Sequence, residues 1–149
     1  MIRLATTDDI PIMVEMGFQF HSAADLSSFG LEASGEDFST YLAFMIQIPY
    51  AAVFVATDGE DEIIGSIAGI RSPWFMDMAQ VLITEQWWWV DPLHRGGTVH
   101  KDLIKVLSLW GKESGGTKLV MVSINDDKVG RYYQRKGFRQ METHWIKDI

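Results

Sequence analysis

Residues 79–90, AQVLITEQWWWV, form a strand pattern that ends in three consecutive tryptophans, and DPLHRGG follows at once. Successive strand side chains point to opposite faces, so Trp88 shares a face with Val90 while Trp87 and Trp89 take the other. Three such side chains are buried together only if the strand lies inside a sheet covered on both sides. That requirement calls for a central strand covered on both sides. Core packing is the ordinary role of these tryptophans. Their position beside a glycine turn gives them a second meaning.

The remaining elements fit such a layered plan. IRLA at 2–5 reads as a short first strand, and Thr6 and Asp9 are spaced as a capping box for a helix with Pro11 in its first turn. Ile10, Met13, Val14, Gly17 and Phe18 recur on one helical face. A second box, Ser34 to Asp37, opens a helix with Phe38, Tyr41, Leu42, Met45 and Ile46 on its stripe, ended by Pro49. Residues 50–70 read as two strands joined by a turn at Asp58-Gly59, and RSPWFMD at 71–77 as a loop. A helix is expected over 98–113, with Leu103, Val106, Leu107 and Trp110 inward and Gly115-Gly116 as its stop. KLVMVSI at 118–124 reads as a buried strand, DDKVGRYYQRK as a helix, and GFRQMETHWIKDI as a last strand. The order is β-α-α-β-β-β-α-β-α-β, an α/β (α+β) class with a mixed central sheet and helices on both faces. Residues 1–149 are expected to form one domain, since this length buries about two-thirds of the unfolded surface without staples.

Charge and composition narrow the partners. The formal net charge is −7, which repels phosphate backbones and disfavours nucleic acid, while a cationic amine is drawn toward such a chain. The same charge also serves simple solubility. No apolar run approaches the roughly 18 residues of a membrane span, and the N-terminus lacks the basic and apolar regions of a signal peptide. Cysteine is absent, which removes thiolate nucleophiles and fits a reducing cytoplasm. His21, His94, His100 and His144 lack metal-ligand spacing, so no metal site is expected.

The stretch VDPLHRGGTVHKDL carries a strand into a glycine turn and then a helix. The first amides of a helix are unpaired and its dipole favours negative charge there, so the NH groups of residues 96–100 suit an anion. Glycine lets the backbone approach closely, and Arg95 offers a charge-assisted contact. Taken alone, Arg-Gly-Gly before a helix is more often a plain turn. Rival motifs fail: no G-x-G-x-x-G follows the first strand, GKESGGTK lacks the P-loop spacing, and no Gly-x-Ser-x-Gly elbow is present.

Val90-Asp91-Pro92, then Arg95-Gly96-Gly97-Thr98-Val99-His100, then Tyr133-Gln134-Arg135-Lys136-Gly137-Phe138 resemble the spaced signatures of the GNAT superfamily, the acyl-CoA-dependent N-acyltransferases. The expected element order matches that superfamily from end to end. Compact bacterial and phage members carry a glutamate just before an aromatic strand end, similar to Glu85 through Val90. Thr98 and His100 depart from the small residues usual at their positions. Backbone amides survive both changes, and the threonine hydroxyl adds a donor, whereas His100 either contributes a contact when protonated or crowds the site. His100 read without the resemblance is an ordinary helix-face histidine. Asn125 stands one residue further from Tyr133 than the family spacing and is read as a strand-end residue.

The resemblance implies acetyl-CoA as co-substrate, lying where the strand 79–90 parts from the strand 118–124. Trp88, Trp89 and Val90 would pair with its pantetheine amides, and Arg95, Gly96, Gly97, Thr98, Val99 and His100 would hold its pyrophosphate. A bulge is expected near Trp87 to Trp89, with a backbone NH at Trp88 or Trp89 facing the thioester oxygen. Glu85 is the candidate base, acting through a water, against its reading as one half of a structural ion pair. Tyr133 is the implied acid for the leaving thiolate, its ordinary pKa of about 10 suiting that task. Neighbouring Tyr132 points about 100° away on a helix, so only one of the two faces the thiolate. The acceptor would be an amine on a small molecule or a protein, in a region shaped by the first two helices, the loop at 22–35 and residues 71–77, with Phe29, Trp74 and Phe75 as candidate lining of an apolar slot or as plain packing under loops. A homodimer is compatible with the resemblance. A non-catalytic module of the same fold, holding CoA or a protein partner, is the alternative.

Overall fold

The computed structural model describes residues 1–124 and 127–149. Asn125 lies outside the described residues. Strand β1 (Ile2–Leu4) leads into a short 3-10 turn over Thr7–Asp9 and then helix α1 (Ile10–Ala23). The expected box at the helix entry is present: the Asp9 carboxylate accepts from the Thr6 amide at 2.7 Å. Asp9 also takes a two-pronged contact from Arg3 at 2.7 and 2.8 Å, which ties the strand to the helix entry. That guanidinium contact holds the Asp9 carboxyl below its ordinary range, against the opposing effect of burial. Helix α2 (Gly35–Gln47) starts at Ser34, whose hydroxyl accepts from the Asp37 amide at 3.2 Å.

Strands β2 (Ala51–Thr57), β3 (Ile63–Trp74) and β4 (Asp77–Val90) follow as antiparallel neighbours. Helix α3 (Val99–Glu113) then crosses over to β5 (Lys118–Val120), which pairs parallel to β4, and α4 (Asp127–Arg135) comes last. The sheet order is β1-β2-β3-β4-β5. Alternation along the strands builds two cores. Ala52, Phe54, Ile67, Ile83 and Val90 pack under Leu103 and Leu107 of α3. Val53, Val55 and Ala68 pack under Met13 of α1 and Leu42 and Met45 of α2. The mixed sheet with helices on both faces is therefore as expected.

Three segments differ from the sequence reading. Residues 71–77 are not a loop, because β3 and β4 continue as a hairpin that turns only at Phe75 and Met76. Pro73 is tolerated there because β2 stops opposite Ile70, leaving that flank of β3 without a ladder that needs its missing N–H. The strand expected over 118–124 is regular only to Val120. Residues 137–149 form no strand. Their apolar positions at 138, 141, 145, 146 and 149 break the two-residue period, so no single face is available to bury, and Trp145 is left 92% exposed.

Glycine spaces α3 from the sheet. A Cβ at Gly111 would lie 2.7 Å from Ile83 Cγ1, and one at Gly69 would lie 2.7 Å from Leu107 Cδ1. A glycine inside a helix costs about 1 kcal/mol relative to alanine, so its use at Gly111 reflects the close approach of Ile83. Gly111→Ala should therefore destabilise the protein by about 1–3 kcal/mol in chemical denaturation despite the better helix propensity. Adding Ile83→Val should recover part of that loss; stabilisation by Gly111→Ala alone would contradict the packing.

Candidate active site

The site forms where β4 and β5 separate. Their ladder runs from Leu82–Lys118 to Thr84–Val120 and stops. From Glu85 to Val90, β4 keeps β3 on one side and has no described strand on the other. A bulge falls at this point. Gly69 pairs with Glu85 and Ala68 with Trp87, so Gln86 is the extra residue. The bulge lies just upstream of the expected position and leaves the alternation of the tryptophans intact. Gln86 and Trp87 both face α2: Tyr41 of α2 donates to Gln86 at 3.2 Å, and Phe38 meets the Trp87 ring edge-on. Glu85 and Trp88 take the opposite face.

Glu85 is 6% exposed, and its carboxylate accepts from the Val122 amide at 2.8 Å, across the gap between the strands. Burial pushes its pKa up to about 7, against the lowering effect of the Val122 amide. The Tyr133 hydroxyl donates to the Val122 carbonyl at 3.0 Å. Both polar groups of one peptide position are thus held by Glu85 and Tyr133. Glu85 makes no ion pair among the described residues. Burial first, then the nearby Glu85 charge and Tyr132, push the Tyr133 pKa above its ordinary value.

Tyr132 and Tyr133 divide as helix geometry requires. Tyr133 is buried, whereas Tyr132 stacks on Trp88 with centroids 5.9 Å apart. The Gly-Phe pair after them has a structural cause: Gly137, at φ +83°, ends α4, and Phe138 turns back so that its ring lies 5.4 Å from that of Tyr133. His100 completes an aromatic group, 5.6 Å from Tyr132 and 6.4 Å from Trp88. Burial, with help from Lys101, lowers the His100 pKa, so its ring is neutral at pH 7. The Trp88 indole N–H is buried in this group without a partner.

The turn between β4 and α3 is open. Gly96 has φ +110°, and a Cβ at Gly96 or Gly97 would meet nothing within 4 Å. Among the described residues, the amides of 96–100 donate to no other part of the chain, while those of Lys101 and Asp102 bond to the Thr98 carbonyl. Thr98 and Val99 begin α3, so these free donors carry the positive end of its dipole. Arg95 is turned the other way. Its Nε donates to the Val90 carbonyl at 2.8 Å, and its guanidinium lies 4.2 Å from the Trp89 ring centroid. No group of three or more His, Asp or Glu side chains among the described residues is placed to hold a metal ion, and no helix is long and apolar enough to cross a membrane.

On the other face, α1 and α2 enclose a cavity of about 440 Å³ against Trp87, Trp89 and Gln86. Phe29, Trp74 and Phe75 do not line it. The cavity lies where the first two helices and residues 22–35 were expected to shape an acceptor region, without the aromatic residues expected to line it. Sequence reasoning missed the meeting of Glu85 with Tyr133 at Val122. The bulge had a visible signal: Thr84, Glu85 and Gln86 are three consecutive polar residues between apolar runs, which regular alternation in a strand covered on both faces does not accommodate.

A glutamate with a raised folded-state pKa binds its proton more tightly folded than unfolded. Its contribution to stability is full below the ordinary value near 4.5 and is lost as pH rises through about 7. The stability of wild type relative to Glu85→Gln should fall by roughly 3 kcal/mol between about pH 4.5 and pH 8 in urea titrations. A constant difference across that range would mean that Glu85 titrates normally.

No family model matches the sequence, and no curated protein does. Solved structures do match, at low identity. A Trypanosoma brucei acetyltransferase is 22% identical with a TM-score of 0.77, covering 100% of this chain and 99% of that one. A predicted acetyltransferase from Clostridium acetobutylicum, solved with acetyl-CoA, is 18% identical with a TM-score of 0.75, covering 100% and 95%. A transcriptional regulator from Bacillus halodurans is 17% identical with a TM-score of 0.76, covering 100% and 99%. The likeness extends over the whole chain and includes proteins given different roles, so it speaks to architecture: this chain has the fold of the GNAT acetyltransferases.

Proposed function

We propose that the protein is an N-acetyltransferase that moves an acetyl group from acetyl-CoA to a primary amine by direct attack. The observation that carries this reading is the convergence of Glu85 and Tyr133 on Val122, at the point where β4 and β5 part. The residues present suit the co-substrate. Five free amides at 96–100 offer donors to a pyrophosphate, and Gly96 and Gly97 leave room for it. The free edge of β4 along Trp88, Trp89 and Val90 offers backbone groups to an amide-bearing chain, apart from the Val90 carbonyl, which already accepts from Arg95 Nε. Acetyl-CoA supplies the thioester that the amine attacks and a thiolate that leaves.

Glu85 takes the amine proton, directly or through a water. Its pKa of about 7 keeps a useful fraction ionised at neutral pH while leaving it basic enough to accept a proton. Tyr133 serves the leaving thiolate. Because burial moves its hydroxyl away from the range of a thiol, its main contribution is a hydrogen bond to the developing charge, made by turning from the Val122 carbonyl. His100 is neutral and Arg95 is turned onto Trp89, so phosphate charge is met chiefly by the α3 amides and dipole.

Turnover, followed as free thiol release from acetyl-CoA with an amine panel, should rise with pH through a midpoint near 7. Glu85→Gln should lower the rate by about 10²-fold and flatten that limb, and Tyr133→Phe should lower it without weakening acetyl-CoA binding. A second reading, a non-catalytic module of the same fold, draws on the packing of His100 against Trp88 and Tyr132 beside the turn. Binding of acetyl-CoA without turnover on any amine would favour that reading and contradict ours.

A further inference from the structure

The cavity under α1 and α2 bears on the choice of acceptor, given the acetyl-transfer reading above. It has about 440 Å³, the scale of a pocket for a small molecule rather than a polypeptide. Its walls are apolar and aromatic, with Met13, Phe18, Phe20, Phe38, Trp87 and Trp89 among them. Two rings are fixed by neighbours: Phe38 meets Trp87 edge-on, and Phe20 meets Trp89 with centroids 6.0 Å apart. Gly17 makes room for this arrangement, since a Cβ there would overlap the Phe38 ring. Glu32 and Asp37 lie at the exposed rim. Neither is ion-paired among the described residues, and the chain as a whole carries −7.

We infer that this cavity takes a primary amine carried on a flat apolar body the size of an arylalkylamine. The rim carboxylates attract the ammonium form. The apolar walls then strip its water and favour the neutral, nucleophilic amine. The cavity ends at Gln86, Trp87 and Trp89, on the stretch of β4 whose far edge is free. The bulge puts Gln86 in the cavity wall and Glu85 on the opposite face, so an amine held in the cavity has to pass that free edge to meet Glu85. A polycationic, strongly hydrated amine fits poorly, because burying several charges against aromatic walls leaves them without partners.

Isothermal titration of the full chain with 2-phenylethylamine, with and without CoA, tests this directly. We expect 2-phenylethylamine to bind at least about tenfold more tightly than spermidine or 2-phenylethanol. Glu32→Gln with Asp37→Asn should weaken it, more so at low salt, as expected for rim charges. Ala33→Trp, at the cavity mouth, should abolish amine binding while leaving acetyl-CoA stabilisation in thermal unfolding unchanged. Equal binding of 2-phenylethanol, or a preference for spermidine, overturns the inference. Binding of 2-phenylethylamine without acetyl transfer upholds the site and removes the transfer reading. Transfer to other amines without 2-phenylethylamine binding does the reverse.

Discussion

A carboxylate withdrawn from water must find donors inside the protein or give up its charge, and Glu85 stands between those outcomes. One backbone amide, that of Val122, holds it, and burial raises its pKa to about 7. The contact spans the gap that opens once β4 and β5 stop pairing. Tyr133 closes the other side of the same peptide position. Chain geometry near the gap therefore depends on a buried carboxyl group and a buried phenol hydroxyl that meet at Val122.

The bulge at Gln86 organises everything around that meeting point. Were Gln86 a regular strand position, strict alternation would put Glu85 on the face of Trp87 and Trp89, toward α1 and α2. With it, Glu85 and Trp88 face α3 and α4, while Gln86, Trp87 and Trp89 line the cavity on the other side. One inserted residue thus separates an aromatic cavity wall from a buried titratable group, with only the strand between them. The glycines that bring α3 down onto Ile83 hold the strand firmly just before this point.

Much of this was legible in the chain. The alternation of Trp87, Trp88 and Trp89 implied a strand covered on both faces, and the two cores bear that out. Helix starts at Thr6 and Ser34 followed from local capping chemistry, which depends on few neighbours. Gly96 and Gly97 marked an open turn before α3. What escaped were features set by tertiary pairing. Strand pairing extended Arg71 to Asp77 into a hairpin despite its proline, and nothing paired with the residues after Gly137. The neutral state of His100 and the turn of Arg95 onto Trp89 depend on Trp88, Trp89 and Tyr132 as neighbours, which spacing alone does not supply. The pairing of Glu85 with a backbone amide, rather than a lysine or arginine, was equally hidden.

The central claim is that the open turn and the parted strands form one site. Backbone amide shift mapping of the isotopically labelled protein during an acetyl-CoA titration tests it most directly. The account predicts that the largest perturbations fall together at Gly96–His100, Trp88–Val90 and Val122, with the buried Trp88 indole N–H among them. Perturbations confined to other parts of the chain, or absent at saturating acetyl-CoA, would contradict it.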